Sequence, residues 1–363
     1  MEEKHHTLVE DPSPKRVRNI VELAKLAGVS PGTVSRALAN KSLVNTKTRE
    51  RIQKLAREHG FQINQMASKL RRQKTGVIAV VIPLGHDRDQ HISDPFFMTL
   101  LGALADELTT SGYQLMLSRA IPQDDPAWLD RIVNSGMVDG VLMIGQSDQV
   151  EEIEKVAQHY APMVVWGSSS PGQTHCAVGT DNCEGGRLAV QYLLDTGHRS
   201  LAFLGDTTGI EIAERYRGAE MAVAAFGAGA TLRHLPIHLS VDDMTDEIAE
   251  ALAALGTAID GVVAASDTIA MATIRQLDSK DIRVPEHIAV IGFDDIPAAS
   301  FTRPPLTTIM QDMRGAGERL VDTLLADIYA AFTDAMRALP GITDYDLKQI
   351  ALHRVSSRKN YDM

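Results

Sequence analysis

From Gly76 onward, short apolar runs alternate with amphipathic segments, and this alternation constrains the fold more than any other feature of the sequence. Apolar runs such as 77–82 and 140–144 have the length and composition of buried strands. Segments between such runs, including 96–111 and 185–194, carry apolar residues at helical spacing. Because a strand that alternates with helices must cross over to reach its neighbour, we expect parallel sheets covered by helices on both faces.

The first 75 residues differ from the rest in charge. They hold 16 lysines and arginines against 7 aspartates and glutamates, whereas the remaining residues hold 20 against 40. The overall net charge of −11 therefore conceals a basic head on an acidic body, which indicates that the head meets phosphate. A basic flexible tail is the simpler alternative, but the head carries helical periodicity and turn signals.

The head predicts three short helices. Apolar spacing marks the first over Ile20–Ala27, and Gly28 offers the positive φ that ends it. Ser30 is suited to cap a second helix over Pro31–Leu38, whose first residue is a proline. A third helix runs over about 45–59, beginning at an asparagine cap. Two short helices joined by a glycine-containing turn form a helix-turn-helix, whose second helix typically enters the major groove of DNA.

The composition limits where such a chain works. The apolar run 77–84 is strand-sized and too short for a membrane span, and the polar N-terminus carries no export signal. The two cysteines, Cys176 and Cys183, form no disulfide framework and fit a reducing cytosol. We therefore expect a cytoplasmic protein with no membrane partner.

Enzyme and metal chemistry find little support in the sequence. No arrangement of Ser, His and Asp or of Cys and His stands in a catalytic motif, so we expect neither an enzyme nor a cofactor. His86, Asp87, Asp89 and His91 can be read as a metal cluster. We interpret them as a solvated loop after the first strand and expect no metal.

Part of the head matches a known family. Ala24, Ala27-Gly28-Val29-Ser30 and Thr33-Val34-Ser35-Arg36 resemble the head of the lactose-repressor (LacI/GalR) family of bacterial transcription regulators. Later segments resemble that family's effector domain, which is like periplasmic sugar-binding proteins. Those segments are Asp94-Pro95-Phe96-Phe97, Val138-Asp139-Gly140, Asp181-Asn182, Gly197-His198-Arg199, Arg215 with Gly218, Asp267 with Ala270, Gly292-Phe293-Asp294-Asp295 and Pro305-Leu306-Thr307-Thr308.

The resemblance covers about residues 17–329 and implies an all-α helix-turn-helix head plus an α/β two-lobed, periplasmic-binding-protein-like domain. The predicted divisions are a flexible tail at 1–16, the head at 17–62, a hinge helix and linker at 63–75, the effector and dimerisation domain at 76–358, and a tail at 359–363. Within that domain, the N-lobe takes about 76–170 and 299–329, and the C-lobe about 171–298 and 346–358. An insertion that is atypical for the family occupies about 330–345.

The same resemblance assigns DNA contacts on the head. Pro31, Gly32 and Arg36 occupy base-reading positions. Arg36 can bind guanine through two hydrogen bonds, whereas Pro31 can offer only shape or a thymine-methyl contact, and Gly32 a close backbone approach. The other predicted contacts on the head are Ser30, Thr33, Ser35, Asn45 and Thr48; apart from Ser35, we expect these to bind phosphate.

A short hinge helix is implied over about 64–72, where the family orders its hinge only when two subunits meet on the operator. Leu70 stands where the family wedges a leucine into the minor groove, with Arg71 beside it. Plain packing of Leu70 against the third helix is the alternative. The other hinge contacts are Asn64 and Ala67, and Ile63 stands where the family usually has proline.

Several polar and aromatic residues fall just after predicted strands, where ligands of open α/β sheets bind. Carboxylates, an arginine and an aromatic ring together suit a carbohydrate. The candidate effector residues are Asp94, Phe96, Trp166, Asp181, Arg215, Asp267 and Asp294, of which Arg215, Asp267 and Asp294 match effector contacts of the family. Trp166 can instead be a core residue, and Asp294 with Asp295 a structural turn.

These observations predict a repressor of carbohydrate-utilisation genes that a sugar, a mono- or disaccharide, releases from a palindromic operator on double-stranded DNA. A head that reads one half-site requires a homodimer, or a tetramer made of two such dimers. Two alternatives remain at this stage. One is a corepressor-type regulator that responds to a purine or another small metabolite, and the other is a sugar-binding protein without a DNA role.

Overall fold

A computed structural model describes residues 17, 19–38, 43–59, 61, 74–85, 90–169, 172–240, 244–256 and 258–337. The chain divides into two compact units, Met1–Thr75 and Gly76–Met363. None of the helices in these described ranges combines the length and apolar character that a membrane span requires.

The described residues of the first unit form three helices, as the sequence predicts. They are α1 (Ile20–Ala27), α2 (Pro31–Leu38) and α3 (Thr46–Glu58). Gly28 ends α1 with a φ of 63°, and its backbone N–H reaches the carbonyl oxygens of Ala24 and Lys25. Such left-handed geometry is nearly free of strain for glycine alone. The small core between the helices is built on Leu23, Val34 and Ile52, all of them fully buried.

In the part of the second unit that the structure describes, there are two five-stranded parallel sheets, one in each lobe. The N-lobe sheet has the strand order β2-β1-β3-β4-β5, and the C-lobe sheet has the order β10-β9-β8-β6-β7. The strands of the N-lobe are β1 (Val77–Pro83), β2 (Gln114–Ala120), β3 (Gly140–Ile144), β4 (Met163–Trp166) and β5 (Cys176–Val178). Those of the C-lobe are β6 (Ser200–Leu204), β7 (Thr231–Leu235), β8 (Gly261–Ala264), β9 (Ala289–Asp294) and β10 (Thr307–Met310).

Helices cover both sheets. They are α4 (Pro95–Thr110), α5 (Trp128–Val133), α6 (Val150–Ala157), α7 (Asn182–Asp195), α8 (Ile210–Phe226), α9 (Met244–Leu255), α10 (Asp267–Asp278) and α11 (Met313–Arg337), with a 3-10 turn at Pro297–Phe301. The alternating strands and helices predicted from the sequence are therefore confirmed as a fold class.

Two strands lie in the opposite lobe to the one predicted. Cys176–Val178 pairs with β4 in the N-lobe, although the predicted N-lobe segment ended at 170. Thr307–Met310 pairs with β9 in the C-lobe, although 299–329 was assigned to the N-lobe. The connections between the lobes therefore run nearer 179–181 and 311–312, because each crossing follows an edge strand that extends the sheet the chain is leaving. The last helix also continues to Arg337, so the first half of the predicted insertion at 330–345 is helical.

Close packing of α7 against α8 positions two polar side chains used below. A Cβ atom on Gly218 would lie 1.8 Å from the carbonyl oxygen of Cys183, and one on Gly186 would lie 1.9 Å from the carbonyl oxygen of Arg215. Only glycine permits such an approach of two helix backbones. The contact brings Asn182, at the start of α7, against Arg215 on α8.

Candidate functional site

The exposed face of α2 carries most of the residues predicted to contact DNA. Val34 and Ala37 are fully buried against the other two helices, so the opposite face of α2 points outward. That face presents Pro31, Gly32, Ser35 and Arg36 as exposed residues, with Thr33 half-buried beside them. An exposed helix face with one long cation and small neighbours has the shape of a helix that enters a groove.

Side-chain hydrogen bonds cap the N-termini of α2 and α3 in the head. The hydroxyl of Ser30 accepts a hydrogen bond of 3.2 Å from the backbone N–H of Thr33. Asn45 caps α3 by accepting a bond of 3.0 Å from the backbone N–H of Lys47. Thr48 is half-buried on the first turn of α3. Ser30 and Asn45 thus order helix N-termini, which are the backbone feature that binds phosphate most readily.

The predicted hinge contacts Asn64, Ala67, Leu70 and Arg71 lie outside the described residues. The same holds for His86, Asp87 and Asp89 of the alternative metal cluster, while His91 is described as an exposed residue.

A cleft lies between the two lobes, at the carboxyl ends of their strands. About 740 Å³ of space lies between its walls, a figure that includes the open mouth of the cleft. Five of the seven predicted effector residues line it: Asp94, Phe96, Trp166, Arg215 and Asp294. Residues of both lobes that the sequence analysis selected therefore lie together at the cleft.

The N-lobe contributes an apolar and aromatic wall. Trp166 ends β4, is buried and packs in the N-lobe core, and it also lines the cleft. Asp94 caps α4 by accepting a hydrogen bond of 2.8 Å from the backbone N–H of Phe96. Burial raises the pKa of Asp94, although hydrogen bonds from Phe96 and Thr268 oppose the change.

The C-lobe contributes a buried arginine whose position is fixed by its partners. The Nε atom of Arg215 donates to Oδ1 of Asn182 at 2.8 Å, and Nη1 donates to the carbonyl oxygen of Ala265 at 2.5 Å. Nη1 also lies 3.7 Å from Oδ1 of Asp294, and the guanidinium carbon lies 3.8 Å from the centre of the Phe293 ring. Such a network holds the guanidinium in place before any ligand arrives.

Asp294 is the acidic partner of Arg215 in the cleft. It sits in a left-handed conformation with a φ of 123°, a strained value for a non-glycine residue. Its Oδ1 accepts a hydrogen bond of 2.7 Å from the Nε2 of Gln311. Burial raises its pKa to about 7, against the opposing charge of Arg215 and with help from Asp267. Strain and a displaced pKa on one residue in a cleft are typical of a binding site.

Two predicted effector residues do not line the cleft, and both corrections have a local cause. Asp181 is exposed and caps α7, accepting a hydrogen bond of 2.8 Å from the backbone N–H of Glu184. Asp267 is fully buried, where its two oxygens accept from the backbone N–H of Ile296 at 2.9 Å and from the hydroxyl of Thr308 at 2.5 Å. It supports the loop that carries Asp294, and burial raises its pKa to about 6.

Sequence reasoning missed several polar residues of the cleft wall, among them Asn182, Glu211 and Gln311. Asn182 stands in one of the segments that resembles the family, but the neighbouring Asp181 was selected. Glu211 lies in the first turn of α8, and Gln311 follows a strand that was not predicted. Their position along the chain could have identified them, because each residue lies at the end of a strand or the start of a helix, where ligands of such sheets bind.

The titration of Asp294 should make stability fall as pH rises. Its pKa is 3.8 in an unfolded chain and about 7 in the folded protein, so the folded state binds the proton more tightly. The stabilisation is complete below about pH 4 and is lost as pH rises through about 7. Asp294→Asn removes this titration while keeping the acceptor for Gln311. We expect it to flatten the dependence of unfolding free energy on pH by at least about 1 kcal/mol, since one pKa unit corresponds to about 1.4 kcal/mol.

Urea denaturation between pH 5 and pH 8 measures this effect. Asp106→Asn is the matched control, because Asp106 is an exposed carboxylate on α4. A profile for Asp294→Asn as steep as that of the parent would show that the buried carboxylate does not titrate in this range.

Similarity to known proteins agrees with this division into head and cleft. Residues 19–64 match the family described as bacterial regulatory proteins, lacI family, and residues 190–342 match the periplasmic binding protein-like domain. The HTH-type transcriptional regulator CelR of Thermobifida fusca is 29% identical over 331 residues, covering 89% of this chain and 96% of CelR. The HTH-type transcriptional repressor CytR of Escherichia coli K12 is 28% identical over 311 residues, covering 84% of this chain and 88% of CytR.

Two solved structures share the fold. The lac repressor dimer bound to operator and an anti-inducer superposes with a TM-score of 0.75 at 23% identity, covering 87% of this chain and 94% of the repressor chain. A complex of the regulator CelR with cellobiose superposes with a TM-score of 0.59 at 26% identity, with the same shares of the two chains.

Proposed function

Because this chain belongs to the LacI family of bacterial regulatory proteins, we propose that it represses carbohydrate-utilisation genes until a sugar releases it from its operator. Its relatives CelR and CytR are transcription regulators, and the chain is accordingly a DNA-binding regulator rather than an enzyme. The palindromic operator, the homodimer, the cytoplasmic location and the sugar are the parts of this account that we propose.

The composition of the cleft is the observation that carries the sugar proposal. An aromatic wall with Trp166 and Phe96 faces a polar wall with Arg215, Asn182 and Asp294. Aromatic rings cover the apolar face of a sugar ring, while carboxylates and amides accept and donate to its hydroxyl groups. CelR has been solved with cellobiose, which supports the same ligand class here.

Coupling between cleft and head requires two states of the protein. A ligand shifts the balance only through its different affinity for the two lobe arrangements. A coupling free energy of about 1–3 kcal/mol changes operator affinity by about 5–150-fold. Since each head reads one half-site, the two heads of a homodimer suit a palindrome.

A thermal-shift screen of the full chain tests the proposed ligand class. The screen compares mono- and disaccharides with nucleobases, each with and without operator DNA. We expect a sugar to raise the melting temperature of the free protein and to raise it less when DNA is present, because a ligand that releases DNA binds the DNA-bound state less well. A nucleobase that stabilises the DNA-bound protein, with no sugar that binds, would instead establish corepression.

The charge of the cleft makes a second prediction about its ligand. Among the described lining residues, the carboxylates Asp94, Glu211 and Asp294 outnumber the one cation, Arg215, which already contacts Asp294. Above about pH 7, where Asp294 is ionised as well, an anion entering this low-dielectric space meets more repulsion than attraction. We expect a neutral sugar that binds to lose at least about tenfold in affinity as its 6-phosphate, a difference of about 1.4 kcal/mol.

Isothermal titration calorimetry with the two compounds measures this difference. In Asp94→Asn, which keeps the oxygen that caps α4, the difference should narrow. Tighter binding of the phosphate than of the free sugar would contradict the charge argument and leave the sugar proposal intact.

A further inference from the structure

A buried histidine of the N-lobe is paired with a half-buried glutamate. His175 precedes β5, its side chain is fully buried, and its Nδ1 lies 2.5 Å from Oε1 of Glu154 on α6. Glu154 also accepts a hydrogen bond of 3.0 Å from the backbone N–H of Thr174. Although burial acts to raise its pKa, hydrogen bonds from Thr174 and His175 lower the pKa of Glu154 to about 2. The carboxylate is therefore ionised at neutral pH and can only accept hydrogen bonds.

The other ring nitrogen of His175 contacts the side-chain amide of Gln146. The Nε2 atoms of His175 and Gln146 lie 3.1 Å apart, and the same Gln146 amide nitrogen donates to the carbonyl oxygen of Ser168 at 2.7 Å. Because the ionised Glu154 requires a hydrogen on Nδ1 and the amide nitrogen of Gln146 can only donate, Nε2 of His175 is the acceptor for Gln146. Both amide hydrogens are then used, and turning the amide around would set its oxygen against two acceptors.

The backbone of Gln146 makes a hydrogen bond between the two lobes. Gln146 follows β3 in the N-lobe, and its N–H donates at 2.9 Å to Oε1 of Glu211 on α8 in the C-lobe. Gly167 makes this approach possible, because a Cβ atom there would lie 2.8 Å from Cγ of Gln146 and 2.9 Å from Oε1 of Glu211. The hydrogen bond between Gln146 and Glu211 is therefore a latch between the lobes, set in a tightly packed position.

We propose that His175, oriented by Glu154, is a positioning residue that holds Gln146 in the conformation in which its backbone latches onto Glu211. The amide of Gln146 has one orientation that satisfies both Ser168 and His175, and this orientation fixes the main chain that carries the latch. Any effect of the latch on effector affinity rests on the function proposed above. The hydrogen bond between Gln146 and Glu211 forms without a ligand.

Three substitutions distinguish the contact of His175 with Glu154 from its contact with Gln146. His175→Asn keeps a donor for Glu154 but provides nothing that reaches Gln146. His175→Gln has the length to reach Gln146 with its amide oxygen, and it gives up the contact with Glu154. Glu154→Gln lets the ring place its hydrogen on Nε2, which turns a donor toward the amide hydrogens of Gln146. Glu151→Gln is the matched control, because Glu151 is an exposed carboxylate on the same helix.

Backbone hydrogen exchange on the full chain tests the proposal, read by mass spectrometry on peptides that contain Gln146. We expect the Gln146 amide to exchange roughly tenfold faster in His175→Asn and Glu154→Gln, the scale of one net hydrogen bond. His175→Gln should recover part of the protection, and Glu151→Gln should match the parent. Unchanged exchange in both His175→Asn and Glu154→Gln, or equal acceleration in all three variants, would overturn the positioning role.

A second measurement separates this inference from the proposed function. Sugar affinity, measured by calorimetry on the same variants, should fall with the loss of protection at Gln146. If the parent binds no sugar and the exchange rates still change as described, the proposed function fails and the positioning role stands.

Discussion

Replacing Arg36 with alanine is expected to weaken operator binding at least about 30-fold and to relax the choice of base at the position Arg36 reads. Arg36 is exposed on α2, and a Cβ atom on Gly32 would lie 3.8 Å from its Nη2, so the guanidinium lies over a residue without a side chain. A bidentate contact with guanine is worth about 1–3 kcal/mol, and a dimer on a palindrome makes two of them. The fold should survive, because the buried side chains of α2 are untouched.

Fluorescence anisotropy with the operator and with base-substituted operators measures both effects. Lys54→Ala is the control, because Lys54 is an exposed cation on α3 whose ammonium lies 3.7 Å from Glu58. Full operator preference in Arg36→Ala would exclude Arg36 as the base-reading residue.

Replacing Arg215 with alanine is expected to destabilise the second unit by about 3–5 kcal/mol and to abolish the response to sugar. The substitution leaves the buried Asp294 without its cation and removes the donors that hold Asn182 and the carbonyl oxygen of Ala265. Breaking a buried ion pair from one side costs up to this much, because the carboxyl of Asp294 must then stay buried as an unpaired charge or take up a proton. Arg215→Lys should regain part of the stability but not the sugar response, since a lysine lacks the planar fork of donors.

Arg217→Ala provides the control on the same helix. Arg217 is 60% exposed and pairs with Glu214 at the surface, so its loss should change stability by less than about 0.5 kcal/mol. Urea denaturation gives the stability, and calorimetry gives the sugar response. A sugar affinity in Arg215→Ala equal to that of the parent would remove this residue from the effector site.

The strands that the sequence predicted are mostly those buried on both faces. β1 and β3 read as continuous apolar runs because parallel sheets are covered on both sides. The edge strands β7 and β10 contain polar and exposed positions, and neither was predicted. The helix α9 was also missed, although its buried apolar residues Met244, Ile248, Leu252 and Leu255 follow helical spacing. That signal was present in the sequence.

The lobe boundaries could not be read from local pattern, because an edge strand is assigned by its pairing partner. Nothing in Cys176–Val178 indicates that it adds to β4 rather than to the next sheet along the chain. Strand pairing is a long-range property, whereas periodicity reports only local burial.

The candidate site could be predicted as a set of positions but not as a set of contacts. Residues after strand ends do gather at the cleft, as Trp166 and Asp294 show. The direction of each side chain depends on its neighbours: Asp267 turns inward to the Ile296 N–H and the Thr308 hydroxyl, while Asp181 is used as a helix cap. The latch between Gln146 and Glu211 joins residues 65 positions apart, and no local pattern indicates it.

The measurement that tests the central claim most directly is the binding of the full chain to duplex fragments from its own genome, over a range of salt and with or without candidate sugars. We predict that one palindromic site is preferred, that its affinity falls steeply with salt because lysines and arginines displace counterions, and that one sugar weakens it about 5–150-fold. No preference among fragments at any salt concentration, or a preferred site that no sugar, nucleobase or other small metabolite affects, would contradict the account.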